Sequence, residues 1–194
     1  RASGAGRAPM TDTTAVRPLP AGADVAWGRV EFWLRQALRD IDFDGLSVLD
    51  IGAGDGIFSC YMALEGAGSV VALEPELDGS NNDARSTLLR RVANLGLSNV
   101  TCLPETFQAY AGPPGAFDVV LAHNVVNHLD EDAVSVLHES EQAREVLRGL
   151  LRRMGELLRP GGILVLADCA RANFFGRLGL RNPISPTIEW HKHQ

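Results

Sequence analysis

Short apolar runs alternate with longer amphipathic stretches along most of this chain. The apolar runs, rich in Val, Ile, Leu and Ala, predict strands over 46–51, 69–74, 99–103, 117–122 and 162–168. Apolar residues at helical spacing predict helices over 27–38, 57–65, 83–95 and 131–158, the last broken near Ser140, whose hydroxyl is suited to cap a second segment. This alternation predicts an α/β fold, a doubly wound and mainly parallel sheet with helices on both faces. The ligand crevice of such a sheet lies at the carboxyl ends of its strands.

The most informative segment is the apolar run 48–51, which leads into three glycines at alternate positions, Gly52, Gly54 and Gly56. Glycine lets the backbone turn sharply and approach a ligand closely. Glu74 closes the next predicted strand, where an acid can accept hydrogen bonds from ribose hydroxyls. Together these features predict a site for an adenosine-containing cofactor.

The spacing of the glycines narrows the choice of cofactor. Dinucleotide sites have G-x-G-x-x-G, which places backbone amides and a helix N-terminus against a pyrophosphate. Here the third glycine is Gly56 and the next position is Ile57, so the pattern is G-x-G-x-G. A nicotinamide-dependent oxidoreductase is therefore disfavoured, although it shares the strand, the turn and the acid.

The glycine turn, with Asp50 two residues ahead of it, resembles motif I of the class I S-adenosylmethionine-dependent methyltransferases. Residues 70–75 resemble the second strand of that family with its ribose acid, 117–122 the fourth strand, and 158–166 the turn and fifth strand. The resemblance implies a Rossmann-like methyltransferase core that takes S-adenosylmethionine and releases S-adenosylhomocysteine.

The resemblance also assigns the cofactor-binding residues. Gly52, Gly54 and Gly56 would let the loop run against the methionine and ribose portions. Asp50 would orient the loop and the methionine ammonium, and Glu74 would take the two ribose hydroxyls. After the third strand, the side chain expected near the adenine amino group is Glu105 or Thr106, and Phe107 is an alternative that would stack on the adenine ring.

The fourth motif of the family corresponds to residues 122–129, which contain His123 and His128. The segment lacks the Asn-Pro-Pro-Tyr sequence with which the family's amino-methyltransferases act on adenine or glutamine. His123 lies nearest the strand end, where it would touch the cofactor or deprotonate an acceptor hydroxyl, since histidine titrates near neutral pH. His128 is a second candidate base, and for both histidines a structural role is the competing interpretation.

Composition excludes several other classes. The formal net charge is −6, and the arginines at 85, 90, 91, 144, 148, 152 and 153 have the spacing of solvated helix faces, so a nucleic acid substrate is disfavoured. Cys60, Cys102 and Cys169 form no C-x-x-C pair and predict buried small apolar residues in a reduced, cytoplasmic protein. No apolar run has the length of a membrane-spanning helix, so no membrane partner is expected.

Composition also suggests the domain organisation. Residues 1–23 lack periodicity and predict a flexible lead, and 24–194 predict one methyltransferase domain. Within it, 24–45 would form an N-terminal helix whose aromatic residues pack on the sheet or line a substrate pocket, 46–168 the cofactor-binding core, and 169–194 a tail on the substrate side. The tail offers no obvious sixth and seventh strands. Either the chain is truncated or the sheet is completed differently, and an exposed sheet edge would then favour a homodimer.

A metal site is not expected. Glu189, His191 and His193 lie close together in sequence, but no strand is predicted there to hold them. The catechol-type methyltransferases need a magnesium site of clustered acids, and Asp168 has no evident Asp or Asn partner in the sequence.

The sequence therefore favours an S-adenosylmethionine-dependent methyltransferase that acts on oxygen or nitrogen of a small molecule by in-line displacement. The acceptor would lie above the strand ends, between the N-terminal helix and the tail. The alternative is a catalytically inactive cofactor-binding or protein-interaction module, or a fragment of a methyltransferase.

Overall fold

The computed structural model describes residues 25–75 and 83–168, and in 25–30 it describes the backbone alone. Five parallel strands form one sheet in this part of the chain. They are β1 (Ser47–Ile51), β2 (Ser69–Leu73), β3 (Val100–Leu103), β4 (Phe117–His123) and β5 (Leu158–Ala167), in the order β3-β2-β1-β4-β5. The predicted parallel α/β sheet is confirmed. The proposed lack of strands six and seven concerns residues 169–194, which lie outside the described residues.

Helices connect the strands. They are α1 (Val25–Leu38), α2 (Ile57–Leu64), α3 (Ala84–Asn94), α4 (Val126–Leu129), α5 (Glu131–Ser135) and α6 (Glu141–Leu157). The predicted break near Ser140 is confirmed, because the Ser140 hydroxyl accepts a 3.2 Å hydrogen bond from the Ala143 amide at the start of α6. The two short helices α4 and α5 were not predicted as separate elements.

Each face of the sheet has its own hydrophobic core. On one face, residues of β1, β2 and β4 pack against α1 and α2. On the other face, the alternate residues of β1 and β4 pack against α6 and against Phe107 and Tyr110. Side chains of adjacent strand residues point to opposite faces, so central strands covered on both sides are apolar at most positions. The nearly continuous apolar runs of the sequence have this origin.

The fifth strand differs from its prediction. It begins at Leu158 rather than near residue 162, and its register against β4 shifts between Phe117 and Val119. Gly161, in the shifted stretch, has a φ of 83°. The expected turn is therefore a bulge within the strand, because glycine supplies the backbone conformation that the shift requires.

The order in which strands are added to the sheet changes direction at β1 and β4. From β1 it continues to β2 and β3 on one side, and β4 and β5 lie on the other. A crevice forms where the connections diverge, at the carboxyl ends of the two strands. The glycine loop follows β1 and His123 ends β4, so both predicted parts of the site lie at this crevice.

Among the described residues, no helix has both the length and the apolar character needed to span a bilayer.

Candidate functional site

The glycine loop leaves β1 with a left-handed backbone at all three glycines. Their φ values are 66° at Gly52, 55° at Gly54 and 78° at Gly56, a region that other residues seldom adopt. A Cβ on Gly52 would lie 2.3 Å from a methyl carbon of Val125, which follows β4. A Cβ on Gly54 would meet nothing within 4 Å. Gly52 is thus required by packing, whereas Gly54 borders open space.

The carboxylate of Asp50 lies beneath the loop and is buried. It accepts a 2.6 Å hydrogen bond from the hydroxyl of Ser59 on α2. Burial, together with the nearby charge of Glu74, raises the pKa of Asp50 to about 7, although the Ser59 hydrogen bond opposes the shift. Sequence analysis did not identify Ser59, because a serine on an apolar helix gives no signal of its partner.

Glu74 follows β2 and is also buried, with 5% of its surface exposed. One of its carboxylate oxygens accepts a 2.7 Å hydrogen bond from the backbone amide of Gly54. The structure therefore brings Asp50, Glu74 and the glycine loop together, as the sequence predicts. Two buried carboxylates beside an open, glycine-lined surface suit a ligand that carries hydroxyls and a positive charge.

A buried arginine also contacts the loop. Arg91 on α3 is 4% exposed, and its guanidinium donates a hydrogen bond to the backbone carbonyl of Asp55. Arg91 Nη1 also lies 3.4 Å from a carboxylate oxygen of Asp55. The prediction that Arg91 belongs to a solvated helix face is wrong, because its target is a main-chain oxygen that no side-chain pattern reveals.

The arginines of α6 likewise include exposed residues and one that contacts the interior of the protein. Arg144 and Arg148 pair with Glu141 on the exposed helix surface, as predicted. Arg153 instead donates a hydrogen bond to the Tyr110 carbonyl and lies over the ring of Phe107. It is therefore partly buried and belongs to the packing beneath the segment after β3.

That segment carries the residues proposed to lie near adenine. The Thr106 hydroxyl accepts a 3.2 Å hydrogen bond from the Ala109 amide, so it stabilises the local turn. Burial, together with the charge of Glu105, raises the pKa of Tyr110. Phe107 is 2% exposed and lies in the core against α6. This burial disfavours the alternative in which Phe107 stacks on adenine, because a stacking ring must present one face to the crevice.

Three rings meet at the end of β4. The ring centroid of His123 lies 4.4 Å from that of Phe58 and 5.0 Å from that of Trp33, and the Trp33 and Phe58 centroids are 5.3 Å apart. Trp33 comes from α1 and Phe58 from the first turn of α2. Burial lowers the pKa of His123, against an opposing effect of Asp168. The imidazole is thus neutral over a wider range of pH than an exposed histidine.

The sequence favoured packing of the α1 aromatic residues on the sheet, but not all of them pack there. Leu34 is buried in the core, whereas Trp33 is 44% exposed and Phe32 is 72% exposed. The helical spacing identified the apolar face correctly, but Trp33 at its border packs against His123 and Phe58, and Phe32 is exposed to solvent.

The second candidate histidine lies elsewhere. His128 lies within α4 with an exposed ring, and its Nδ1 is 2.9 Å from a carboxylate oxygen of Glu131. This pair joins α4 to α5 at the surface. The structure thus separates the two histidines, placing His123 in the ring cluster and His128 in a surface pair.

Asp168 has a partner that the sequence analysis missed. Its carboxylate accepts hydrogen bonds from the backbone amide and the side-chain amide of Asn127, at 3.1 Å and 2.7 Å. The expectation that Asp168 has no Asn partner is therefore wrong, because the pairing residues are 41 positions apart. Within 25–75 and 83–168, no three His, Cys, Asp or Glu side chains are grouped so that they could hold a metal ion. Glu189, His191 and His193 lie outside the described residues.

The cysteines follow their prediction where the structure describes them. Cys60 is fully buried in the core and Cys102 is partly buried. Cys169 lies outside the described residues.

Comparisons with known proteins identify the family of this chain. A family model described as a methyltransferase domain matches residues 29–190. The ubiquinone biosynthesis O-methyltransferase of Caulobacter vibrioides is 32% identical over 152 residues, which cover 74% of this chain and 52% of that protein. Its counterpart from Methylocella silvestris is 29% identical over 74% of this chain and 47% of its own length. The chain thus spans about half the length of these curated relatives.

Solved structures share the fold. A SAM dependent methyltransferase from Aquifex aeolicus superposes with a TM-score of 0.54, covering 75% of this chain and 69% of that one at 19% identity. The chain belongs to the family of methyltransferase domains, and its fold is that of the class I S-adenosylmethionine-dependent methyltransferases.

Proposed function

We propose that this protein transfers a methyl group from S-adenosylmethionine to a hydroxyl of a small molecule. The observation that carries the proposal is the pair of buried carboxylates, Asp50 and Glu74, beside the open surface at Gly54. The names of the curated relatives, ubiquinone biosynthesis O-methyltransferases, support oxygen as the acceptor atom. S-adenosylmethionine, when bound, supplies a methyl group activated by a sulfonium.

The cofactor roles follow from chemistry. Glu74 would accept hydrogen bonds from the ribose hydroxyls, because a buried carboxylate makes strong charge-assisted hydrogen bonds. Asp50 would take the methionine ammonium, directly or through water. Glu105 or Thr106 would lie toward the adenine, since both follow the strand next to β2. Gly52, Gly54 and Gly56 would bring the backbone against the ligand without a side chain between them.

His123 would act as the general base. It lies at the carboxyl end of β4 next to β1, and burial favours its neutral form, which can accept a proton. The acceptor oxygen forms a bond to the methyl carbon as the carbon–sulfur bond breaks, and the hydroxyl proton passes to His123 and then to solvent. Most of the rate enhancement would come from alignment of the two reactants. His128 is disfavoured as the base, because its ring pairs with Glu131.

Trp33 and Phe58 would form the apolar wall of the acceptor site. Their rings flank His123, and the exposed part of Trp33 leaves room for a flat apolar group beside the base. Aromatic side chains attract a further aromatic ring in offset-stacked or edge-to-face geometry. We therefore propose an acceptor in which the hydroxyl is attached to an aromatic ring.

The first experiment is calorimetric titration with S-adenosylmethionine and, separately, with NAD, followed by a turnover assay. The expected result is binding of S-adenosylmethionine alone, and formation of S-adenosylhomocysteine with simple phenols and catechols as acceptors. A control assay uses non-aromatic diols of similar size. Binding of NAD alone, or saturable cofactor binding without turnover on any acceptor, would contradict the proposed methyl transfer.

Other proposals concern partners, location and boundaries. We propose no nucleic acid partner, because Glu141 and Glu145 pair with the arginines of α6. We also propose a homodimer through β5, which is an edge strand of the sheet in the part of the chain that the structure describes and carries the accessible Ile163 and Leu166. Light scattering at several protein concentrations tests the proposed homodimer.

A cytoplasmic location, a flexible lead over 1–23 and a single domain over 24–194 remain proposals from the sequence.

A further inference from the structure

Arg91 and Leu88 of α3 hold two successive residues of the glycine loop. Arg91 donates a hydrogen bond to the carbonyl of Asp55. One helical turn earlier, Leu88 fills the space beside Gly56, where an added Cβ would lie 2.5 Å from the Leu88 Cγ. The loop connects β1 to α2, but it packs against a third element, α3.

The loop needs such a support because of its composition. Glycine loses more conformational freedom on ordering than any other residue, and three glycines alternate here. The Asp55 carboxylate adds one local contact, a 3.3 Å hydrogen bond from the Ile57 amide at the start of α2. Arg91 orients the carbonyl of Asp55, which shares its peptide unit with the amide of Gly56.

Two loop amides connect Arg91 to the cofactor site. The Gly54 amide donates to Glu74, and the Gly56 amide donates a 2.9 Å hydrogen bond to the Ala53 carbonyl. The Ala53 carbonyl shares its peptide unit with the Gly54 amide, so a rotation of the Asp55–Gly56 peptide would break the hydrogen bond to Ala53 and thereby disturb the amide that donates to Glu74. A guanidinium with 4% exposure is itself costly to bury unless oxygens receive its hydrogen bonds, so its position is well defined.

We propose that Arg91 is a positioning residue for the cofactor, which keeps the glycine loop in its binding conformation by binding the main-chain oxygen of Asp55. This inference rests on the proposed function. Because the main contact is to the backbone, it does not depend on the side chain at position 55. Arginine suits the task, since its planar fork reaches the carbonyl and the carboxylate together.

The experiment measures the Kd for S-adenosylhomocysteine by calorimetry in Arg91→Met, Arg91→Lys and Asp55→Ala. The matched control is Arg90→Met, which changes the adjacent, exposed arginine, whose guanidinium donates a hydrogen bond to the Thr87 hydroxyl. We expect Arg91→Met to weaken binding about tenfold or more. Arg91→Lys should weaken it less, because the lysine ammonium can restore one of the hydrogen bonds that the guanidinium makes to the loop. Asp55→Ala should lose less affinity for S-adenosylhomocysteine than Arg91→Met does. Arg90→Met should bind it with the affinity of the wild type.

A second readout separates positioning from stability. Amide hydrogen exchange at Gly54 and Gly56 without ligand should be faster in Arg91→Met than in the control, at a temperature where both are folded. Wild-type affinity in a folded Arg91→Met or Arg91→Lys protein would overturn the inference, as would an equal loss in Arg90→Met. If the wild type itself binds no S-adenosylhomocysteine, the proposed function fails. Unchanged exchange in Arg91→Met would then also refute the support of the loop by Arg91.

Discussion

The carboxylate of Asp50 and the hydroxyl of Ser59 lie 2.6 Å apart and join the end of β1 to the first turn of α2. This hydrogen bond bridges the two elements on either side of the glycine loop. It also supplies a hydrogen-bond donor to the buried carboxyl of Asp50, which lies near a second acid, Glu74. The loop is thus held at its base by one polar contact and at its tip by Arg91.

Asp50 makes the stability of the protein depend on pH. Its folded pKa of about 7 lies above its ordinary value, so the folded state binds a proton more tightly than the unfolded state. The resulting stabilisation is fully present below about pH 4 and is lost as the pH rises to about 7. Between these limits the free energy of unfolding should fall by up to about 4 kcal/mol relative to Asp50→Asn.

Urea unfolding of the wild type and Asp50→Asn at several pH values checks this prediction. Asn retains an oxygen that accepts from Ser59, so the variant should fold and show the flatter profile. Asp40→Asn, at an exposed position, is the control and should keep the profile of the wild type. Parallel profiles of the wild type and Asp50→Asn would refute the raised pKa.

Glu74 should determine the cofactor affinity. Glu74→Ala removes the proposed ribose acceptor and the partner of the Gly54 amide, and we expect a loss of roughly 1 to 3 kcal/mol in cofactor binding. Calorimetric titration with S-adenosylhomocysteine measures it, with the exposed Glu139→Ala as the control. An unchanged affinity in Glu74→Ala would exclude Glu74 from the cofactor site.

The first and second glycines of the loop should respond differently to alanine. Gly52→Ala combines a left-handed backbone with a clash against Val125, so we expect a loss of roughly 2 to 4 kcal/mol in the free energy of unfolding. Gly54→Ala meets no atom and should cost only the backbone strain of about 1 to 2 kcal/mol. Denaturant titrations give both values.

A second substitution tests the cause of the Gly52 effect. Val125→Ala removes the methyl groups that the new Cβ would strike, so Gly52→Ala with Val125→Ala should recover part of the lost stability. Val125→Ala alone is the control. Strict additivity of the two changes would show that the clash is not responsible.

His123 should titrate below the ordinary range of histidine. Burial against Phe58 and Trp33 lowers its pKa, and Trp33→Ala should raise the pKa by admitting water. Asp168→Asn should lower it further, because the Asp168 charge favours the imidazolium. NMR titration of the imidazole C–H signals measures these changes without an acceptor. Phe32→Ala is the control, since it removes an exposed aromatic neighbour in sequence. An equal shift in Phe32→Ala and Trp33→Ala would contradict the ring contact.

The sheet and the glycine loop were predictable because their signals are local. A strand buried on both faces is a short apolar run, and a turn that needs left-handed backbone uses glycine, so both can be located in the sequence. Ser140 was predicted for the same reason, since its hydroxyl bonds an amide only three residues away.

The remaining contacts of the site join distant parts of the chain. Arg91 binds a main-chain oxygen 36 residues away, and Val125 packs on Gly52 from the far side of β4. Asn127 and Asp168 come from the ends of different elements. None of these partners leaves a periodic or spaced pattern, because each depends on which strands are neighbours. The order of strands in the sheet is therefore the information that the sequence analysis lacked.

The pairing of β1 with β4 has a consequence for folding. In this register Val48 pairs with Val119, so about 70 residues of chain must be placed before the crevice exists. Closing so long a loop is slow compared with pairing β1 and β2, which are joined by one helix. We expect β1, β2 and β3 to associate first and β4 to add later, so a chain cut before Phe117 should not bind S-adenosylhomocysteine. The ability to bind a ligand would then appear only after most of the sheet has assembled.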